Sequence, residues 1–466
     1  MMDITSWLGA RPSVGTFVGG IHPPEEKELA ADAAIEVLPS PREVRISLLQ
    51  HLGAICQATV KPRQEVQVGD VIGRSDAFVT APVHASIAGV AQRESVATLP
   101  NGRHVPVIPI KAAAEQSFRG SALLADIYGG PWPLDEAQRM EPKDIVQAAR
   151  EGGLVGLGGA AFPTHVKLVR NDKFPIDTVI MNGCECEPYL TADDRVMFEF
   201  PEPVIAGTLL SMRAVGAQRA FVCVEENKPR AIESLRAAAA GTAVEVVVLK
   251  TKYPQGGERQ LVLAATGRTV PGGGLPFQVG VVVVNVATAA ALARSALRGK
   301  PLTHRVVTVS GAGIRQPKNV LTPLGTTYGE LIRHCGGVTG NATRVVAGGP
   351  MMGFTLSSAD EKSELIPTPV TKGTSGITVL TDHDVQRAGQ TACIRCGRCV
   401  QVCPMRLVPT RLALAARAQH REVMERYHIG ACVECGCCAY TCPASIPLVQ
   451  LIRVGKVMIQ NMDKRS

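Results

Sequence analysis

Eight cysteines near the C-terminus repeat one spacing twice: Cys393-x2-Cys396-x2-Cys399-x3-Cys403-Pro404, then Cys432-x2-Cys435-x2-Cys438-x3-Cys442-Pro443. In this pattern three closely spaced thiolates wrap one [4Fe–4S] cluster and the fourth cysteine reaches across to the other. The expected ligand sets are Cys393, Cys396, Cys399 and Cys442 for cluster 1, and Cys432, Cys435, Cys438 and Cys403 for cluster 2. Zinc favours paired C-x2-C ligands and fits these runs poorly. Gly397 and Gly436 let backbone N–H groups approach the sulfurs, while Pro404 and Pro443 turn the chain away. Cys437, a ninth cysteine beside a ligand, is expected only to pack. Of 14 cysteines, nine lie between Cys393 and Cys442, a crowding that points to metal in a reducing compartment rather than to a disulfide scaffold.

A second set of residues suits an anionic nucleotide. Gly156-Leu157-Gly158-Gly159-Ala160-Ala161-Phe162-Pro163-Thr164 leads into a helical segment carrying Lys167. Clustered glycines before a helix offer backbone N–H groups to a phosphate, and a lysine one turn in adds a counter-charge. The register is not G-x-G-x-x-G, so an ordinary Rossmann dinucleotide site is not indicated. Further on, Asn182-Gly183-Cys184-Glu185-Cys186-Glu187-Pro188 follows a strand, where open α/β sheets place ligands. Glu185 and Glu187 could bind ribose hydroxyls or amides there, or simply be solvated.

These residues need a scaffold. Strand Asp177 to Met181, a helix near Ile205 to Val215, strand Ala220 to Val224, helix Pro229 to Ala239 and strand Val244 to Leu249 predict a parallel sheet with right-handed crossovers. Pro142 to Glu151 reads as a helix closed by Gly152-Gly153. Val279 to Ala293 is apolar over about 15 residues, short of the ~20 a spanning helix needs, and reads as a buried strand running into a helix. From Ile35 to Lys111, short β-rich pieces with regular turns predict a small sandwich or barrel. Arg411 to Arg426 reads as one Ala- and Arg-rich helical stretch with a solvated face.

A chain of 466 residues exceeds one compact core. Its net charge of +8 is modest, and basic residues scattered among acidic ones argue against nucleic acid as a partner. Met1 to Gly20 lacks the charged start and apolar run of a secretory signal, so the cytoplasm is the expected compartment.

Three separated pieces resemble, in order, the flavin- and NADH-binding subunit of respiratory complex I: Gly156 to Lys167, Asn182-x-x-Glu185-x-Glu187-Pro188, and Tyr253-x-x-Gly256-Gly257-Glu258, continued by Asn285-Val286-x-Thr288. The resemblance implies FMN contacts at Gly156, Gly158, Gly159, Lys167, Asn182, Gly256, Glu258, Asn285 and Thr288. It implies NADH contacts at Phe162, Glu185 and Glu187. Cys184 and Cys186 stand where that family has other small residues and are expected to pack the loop. Pro301 to Met352 resembles the β-grasp module that follows the flavin domain in the same family. The cysteine segment is similar to helix-inserted ferredoxin domains, and the β-rich start to lipoyl and biotinyl carriers, though without a carrier lysine.

With Gly19-Gly20-Ile21-His22-Pro23-Pro24-Glu25 at the start, nearly the whole chain resembles the C-subunit of the Rnf electron-transport family. That resemblance implies a multidomain α/β and α+β chain. Residues 1–125 would form an N-terminal segment and barrel-sandwich β domain, 126–295 a Rossmann-like FMN/NADH domain, 296–375 a β-grasp module and 380–466 a helical two-[4Fe–4S] ferredoxin-like domain. It also implies a peripheral NAD(H)-linked subunit on the cytoplasmic face of the cell membrane. Its expected partners are NADH and other subunits, a ferredoxin-like one among them, with electron flow coupled to ion movement. Many relatives carry a long Ala- and Lys-rich tail after the clusters, and contacts made by such a tail are not expected here. Three rival readings are a cobalamin reductase, a hydrogenase diaphorase subunit and a non-catalytic ferredoxin-like adaptor.

Overall fold

The computed structural model describes residues 15–116, 119–170, 172–358, 361–385 and 389–463. The first 14 residues of the stretch read for a secretory signal lie outside them.

Four parallel strands form the central sheet, in the spatial order Val244–Leu249, Arg219–Glu225, Thr178–Gly183, Val281–Asn285. Their valine-rich runs suit a sheet covered on both faces. Val179, Met181, Val222, Val224, Val282 and Val284 point to the side carrying helices Pro201–Val215 and Val286–Arg298. Ile180, Phe221, Cys223, Val281 and Val283 point to the other side, against helix Glu258–Thr266. This alternation is the period-two geometry of a strand.

Helix Pro229–Ala239 and strand Val244–Leu249 have the expected bounds. The helix expected near Ile205 starts at Pro201, because prolines cost little in a first turn whose N–H groups have no helical partner. Its Gly207 lies so close to helix Val286–Arg298 that an added Cβ would fall 1.9 Å from Ala289 O. Strand order reverses at Thr178–Gly183: the next two strands lie on one side and Val281–Asn285 on the other. That reversal opens a crevice at the strand ends.

Toward the N-terminus a five-stranded and a three-stranded antiparallel sheet enclose Val44, Ile46, Leu48, Ile72, Val83 and Ile110. A further six-stranded sheet runs in the order Ile35–Val37, Lys318–Pro323, His304–Ser310, Gly376–Thr381, Ala342–Ala347, Phe354–Ser358. It extends past the expected span of 296–375. Gly376–Thr381 lies in its middle, parallel to His304–Ser310, and Ile35–Val37 adds an edge from far upstream. Both additions are long-range pairings that turn signals in the sequence do not encode.

In the cysteine-rich segment the expected helix over 411–426 is two helices, Pro409–Arg417 and Arg421–Arg426. Gln419, at φ 58°, breaks the first and lets Met424 turn inward to full burial. The two cysteine runs share a backbone path: Arg395 and Glu434 both have positive φ, as do Gly397 and Gly436. Among the described residues no helix is long and apolar enough to cross a membrane.

Candidate functional site

The crevice at the strand reversal is built around two asparagines. Asn182 and Asn285 are register partners at the C-terminal ends of adjacent parallel strands. Asn285 Oδ1 caps the following helix by accepting from Ala287 N (3.0 Å) and Thr288 N (3.2 Å). Its Nδ2 donates to Asp193 Oδ2 at 2.6 Å. Asn182 Nδ2 donates to Gly256 O (2.8 Å), which brings the Tyr253 to Glu258 segment to the same end of the sheet.

The glycine loop closes over this end. Gly156 N donates to Phe162 O at 2.9 Å and Val155 bridges Pro163, forming a hairpin-like turn. Thr288 Oγ1 accepts from Leu157 N at 2.9 Å and fixes the loop to the last helix of the sheet. A Cβ on Gly158 would approach Asn285 Nδ2 to 3.3 Å, whereas Gly159, at φ 121°, faces open space. Among the described residues the N–H groups of Gly158, Gly159 and Ala160 donate to no protein acceptor. Three consecutive free amides in an exposed turn make an anion-binding concavity. The helix that follows, Thr164–Leu168, has only five residues, so the amides rather than a long helix dipole supply the positive field. Lys167 Nζ contacts Glu258 Oε1 and donates to Val283 O at 3.1 Å, so both charged groups expected to meet FMN line one wall. Free amides, a lysine and open space above Gly159 fit a flavin phosphate.

The loop after the first strand is braced by residues the sequence did not single out. Lys27 Nζ donates to Glu185 O (2.8 Å), Glu187 O (3.0 Å) and Leu190 O (2.6 Å), using all three ammonium donors. Burial, then the charge of Lys228, pushes its pKa down. Lys228 Nζ donates to Cys184 O at 2.6 Å. Burial opposes the Lys228 charge, but Glu225, Glu185 and Asp194 together raise its pKa.

The Glu185 carboxylate accepts Asp193 N (2.8 Å) and Asp194 N (3.0 Å) at the start of helix Ala192–Glu199. Glu187 Oε1 accepts Met351 N (2.7 Å) and Met352 N (3.1 Å) from the six-stranded sheet's domain. Burial pushes the Glu187 carboxyl up, and those two amides pull the other way. Both glutamates thus have protein partners, whereas Phe162 is half-buried at the rim of the glycine loop. Cys184 is buried, and the half-buried Cys186 accepts from Gly256 N through Sγ at 3.4 Å, so both pack the loop as expected. Burial pushes the Cys186 thiol up to about 12.

The cysteine runs interleave. Burial pushes the Cys403 thiol up to about 11, and Cys435 and Cys432 stand near it. Cys399 is raised by burial and has Cys396 and Cys442 beside it. Each fourth cysteine therefore stands by the opposite run. Leu407 N donates to Cys403 Sγ (3.3 Å) and Glu434 N to Cys432 Sγ (3.4 Å). Such amide bonds suit sulfurs that carry negative charge on a cluster. This interleaving of thiols fits two [4Fe–4S] clusters.

The two sites meet at Tyr253. Its hydroxyl donates to Cys435 O at 2.7 Å, and its backbone exchanges bonds with Ile21, both 2.9 Å. Gly20 N donates to Val402 O at 2.8 Å. A Cβ on Gly20 would sit 2.6 Å from Tyr253 O, and one on Gly19 would sit 2.9 Å from Cys403 O. The paired glycines let the N-terminal strap pass between the two sites. Tyr253, Cys186, Met351, Cys435 and Cys437 form one apolar cluster there. The cluster 2 loop thus faces the crevice, while Cys396 of the cluster 1 loop is exposed.

Comparison with known proteins agrees with this arrangement. Residues 149–294 match the Nuo51 FMN-binding domain, 15–115 the RnfC barrel sandwich hybrid domain, 306–355 the SLBB domain and 392–446 the 4Fe-4S dicluster domain. The chain is 42% identical to the C-subunit of the proton-translocating ferredoxin:NAD(+) oxidoreductase complex of Clostridium ljungdahlii, over 94% of this chain and 93% of the relative. It is 41% identical to the Na(+)-translocating counterpart of Acetobacterium woodii, over 95% and 96%. It is 40% identical to the C-subunit of the ion-translocating oxidoreductase complex of Rhodobacter capsulatus, over 96% and 84%. On identities of this size across nearly its whole length, the chain belongs to the C-subunit family of ion-translocating ferredoxin:NAD(+) oxidoreductase complexes.

Proposed function

We infer that this chain is the NAD(H)-linked subunit of an ion-translocating ferredoxin:NAD(+) oxidoreductase, using FMN and two [4Fe–4S] clusters. NADH carries two electrons as a hydride and each cluster takes one, so a flavin, stable in three redox states, supplies the step between them. The chain's own residues bind, orient and insulate. Gly156, Gly158, Gly159, Lys167, Asn182, Gly256, Glu258, Asn285 and Thr288 form the flavin cradle, with the phosphate on the free loop amides. Phe162 and Glu185 border the nicotinamide side. Glu187 acts first as the tie that docks the Met351–Met352 turn onto that loop. The two cysteine sets of four, with Cys442 and Cys403 exchanged between runs, hold the clusters.

The observation that carries this reading is the Tyr253 junction, which joins the flavin crevice to the cluster 2 loop with no intervening domain. The Lys318–Pro323, His304–Ser310, Gly376–Thr381, Ala342–Ala347, Phe354–Ser358 order supports a β-grasp module that walls the junction. A carrier-like barrel ahead of the flavin domain separates the chain from a cobalamin reductase. As one subunit of a complex it has other subunits as partners, and we assign it to the cytoplasmic face of the membrane next to a ferredoxin-like subunit. Relatives of similar identity are named for protons and for sodium, so the reading covers ion translocation by the complex without choosing the ion.

The test is cofactor content after oxygen-free purification. One FMN and two [4Fe–4S] clusters per chain are expected. A preparation with both clusters but no flavin, even after incubation with FMN, would reduce the chain to an adaptor.

A further inference from the structure

Between Gly389 and Arg421 there are six arginines, no lysine and no carboxylate. The same stretch contains the cluster 1 loop, in which Ile394, Arg395, Cys396, Gly397 and Arg398 are all exposed. Thr391 N donates to Ala444 O (3.0 Å), which ties this loop to the turn bearing Cys442. Arg417 of helix Pro409–Arg417 reaches the base of the loop at Gln390. Among the described residues neither Arg395 nor Arg398 pairs with a carboxylate. The cluster 2 loop is the opposite case. Its Glu434 is held by Arg453 (2.8 Å) and Lys456 (2.6 Å), and a Cβ on Gly436 would lie 2.7 Å from Met351 O. One loop is neutralised and covered from inside the chain, and the other is open, basic and ringed around a cluster thiolate.

We propose that the rim formed by Arg395, Arg398 and Arg417 around Cys396 is the docking surface for an acidic one-electron iron-sulfur protein. The inference rests on the reading of Cys393, Cys396, Cys399 and Cys442 as cluster ligands. Unpaired arginines beside an exposed redox ligand steer an oppositely charged partner and orient it on contact. An anionic lipid surface would also meet this charge. The exposed large apolar side chains there are Ile394 and, on the Arg417 helix, Leu414, and a lipid seated on the rim would insulate the exposed thiolate.

The test measures affinity, by calorimetry without oxygen, between the oxidised holoprotein and an acidic two-[4Fe–4S] ferredoxin. No NADH is present, so a failure of NADH oxidation leaves the result intact, and the reverse holds too. Affinity is expected to fall at least tenfold between about 0.05 and 0.5 M salt. The pair Arg395→Gln and Arg398→Gln should weaken low-salt binding roughly tenfold and flatten the salt dependence. Arg417→Gln, farther from the ligands, should do the same to a smaller degree, and it keeps the test valid if the pair loses its cluster. Salt-independent binding, or unchanged affinity in all variants, would overturn the proposal. So would variants that lose binding to phosphatidylglycerol vesicles, or that lose self-association in sedimentation, while keeping ferredoxin affinity.

Discussion

Glu187 Oε1 accepts the Met351 amide at 2.7 Å and the Met352 amide at 3.1 Å, so a carboxylate from the flavin domain's ligand loop anchors a turn of the six-stranded domain. Glu187→Ala strips both amides of their acceptor; the exposed Met352 amide can turn to water, and the half-buried Met351 amide should cost about 1 kcal/mol. Glu187→Gln keeps an oxygen acceptor. We expect Glu187→Gln to hold the KM for NADH within about twofold, while Glu187→Ala lowers the melting temperature. A large rise in KM for the glutamine variant would instead mean that this side chain touches the nicotinamide.

Tyr253 carries the link from crevice to cluster loop through one hydroxyl, at 2.7 Å from Cys435 O. Tyr253→Phe should remove about 0.5–1.5 kcal/mol of local stability. Flavin bleaching by NADH should keep its rate, while the spin signal of reduced clusters should grow in more slowly. Equal slowing of both would place Tyr253 in nucleotide binding rather than at the junction.

Lys372 is fully buried, and its Nζ donates to Pro82 O and Gly153 O, both at 2.6 Å. Two acceptors match the two N–H bonds of a neutral amine, and burial pushes its pKa down to about 7 from 10.5. Between those two values the unfolded chain holds a proton that the folded chain does not. Stability should therefore rise with pH across that window, by at most about 1.4 kcal/mol per pH unit. Urea unfolding at several pH values reads this slope. Lys372→Met should remove it, and a variant that keeps the full slope would move its origin elsewhere.

Thr288 Oγ1, itself buried, accepts from Leu157 N at 2.9 Å and holds the glycine loop to the last helix of the sheet. Thr288→Val leaves that amide without a partner, at a cost of about 1–3 kcal/mol. Its Kd for FMN, measured by fluorescence quenching, should rise roughly tenfold for each 1.4 kcal/mol that reaches the bound state. An unchanged Kd would mean that the loop holds its shape without Thr288.

What the sequence disclosed was local. Doubled cysteine spacing, glycines before Lys167, and proline-opened helices such as Pro229–Ala239 each carry their signal within a few residues. What it hid depends on distant partners. Lys27 reaches a loop 158 residues away, and nothing around Lys27 announces an ammonium that serves three carbonyls. Glu187 sits in a ligand motif, yet its carboxylate faces an amide 164 residues on. Strand Gly376–Thr381 falls beyond the expected 296–375 because its neighbours, His304–Ser310 and Ala342–Ala347, come from elsewhere in the chain. The basic rim is not legible in the net charge, because what sets Arg395 and Arg398 apart is their exposure beside Cys396 and the lack of a carboxylate partner among the described residues, both of which depend on the fold.

A reductive titration tests the electron path most directly. The chain, purified without oxygen and loaded with FMN, is titrated with NADH while flavin absorbance and low-temperature spin resonance are recorded together. The predicted result is flavin bleaching accompanied by the signal of reduced [4Fe–4S] clusters, with neither change when a chain lacking flavin is treated in the same way. Clusters that stay oxidised beside a fully bleached flavin, or a flavin that NADH leaves untouched, would contradict the path from nicotinamide through Tyr253 to the cysteines.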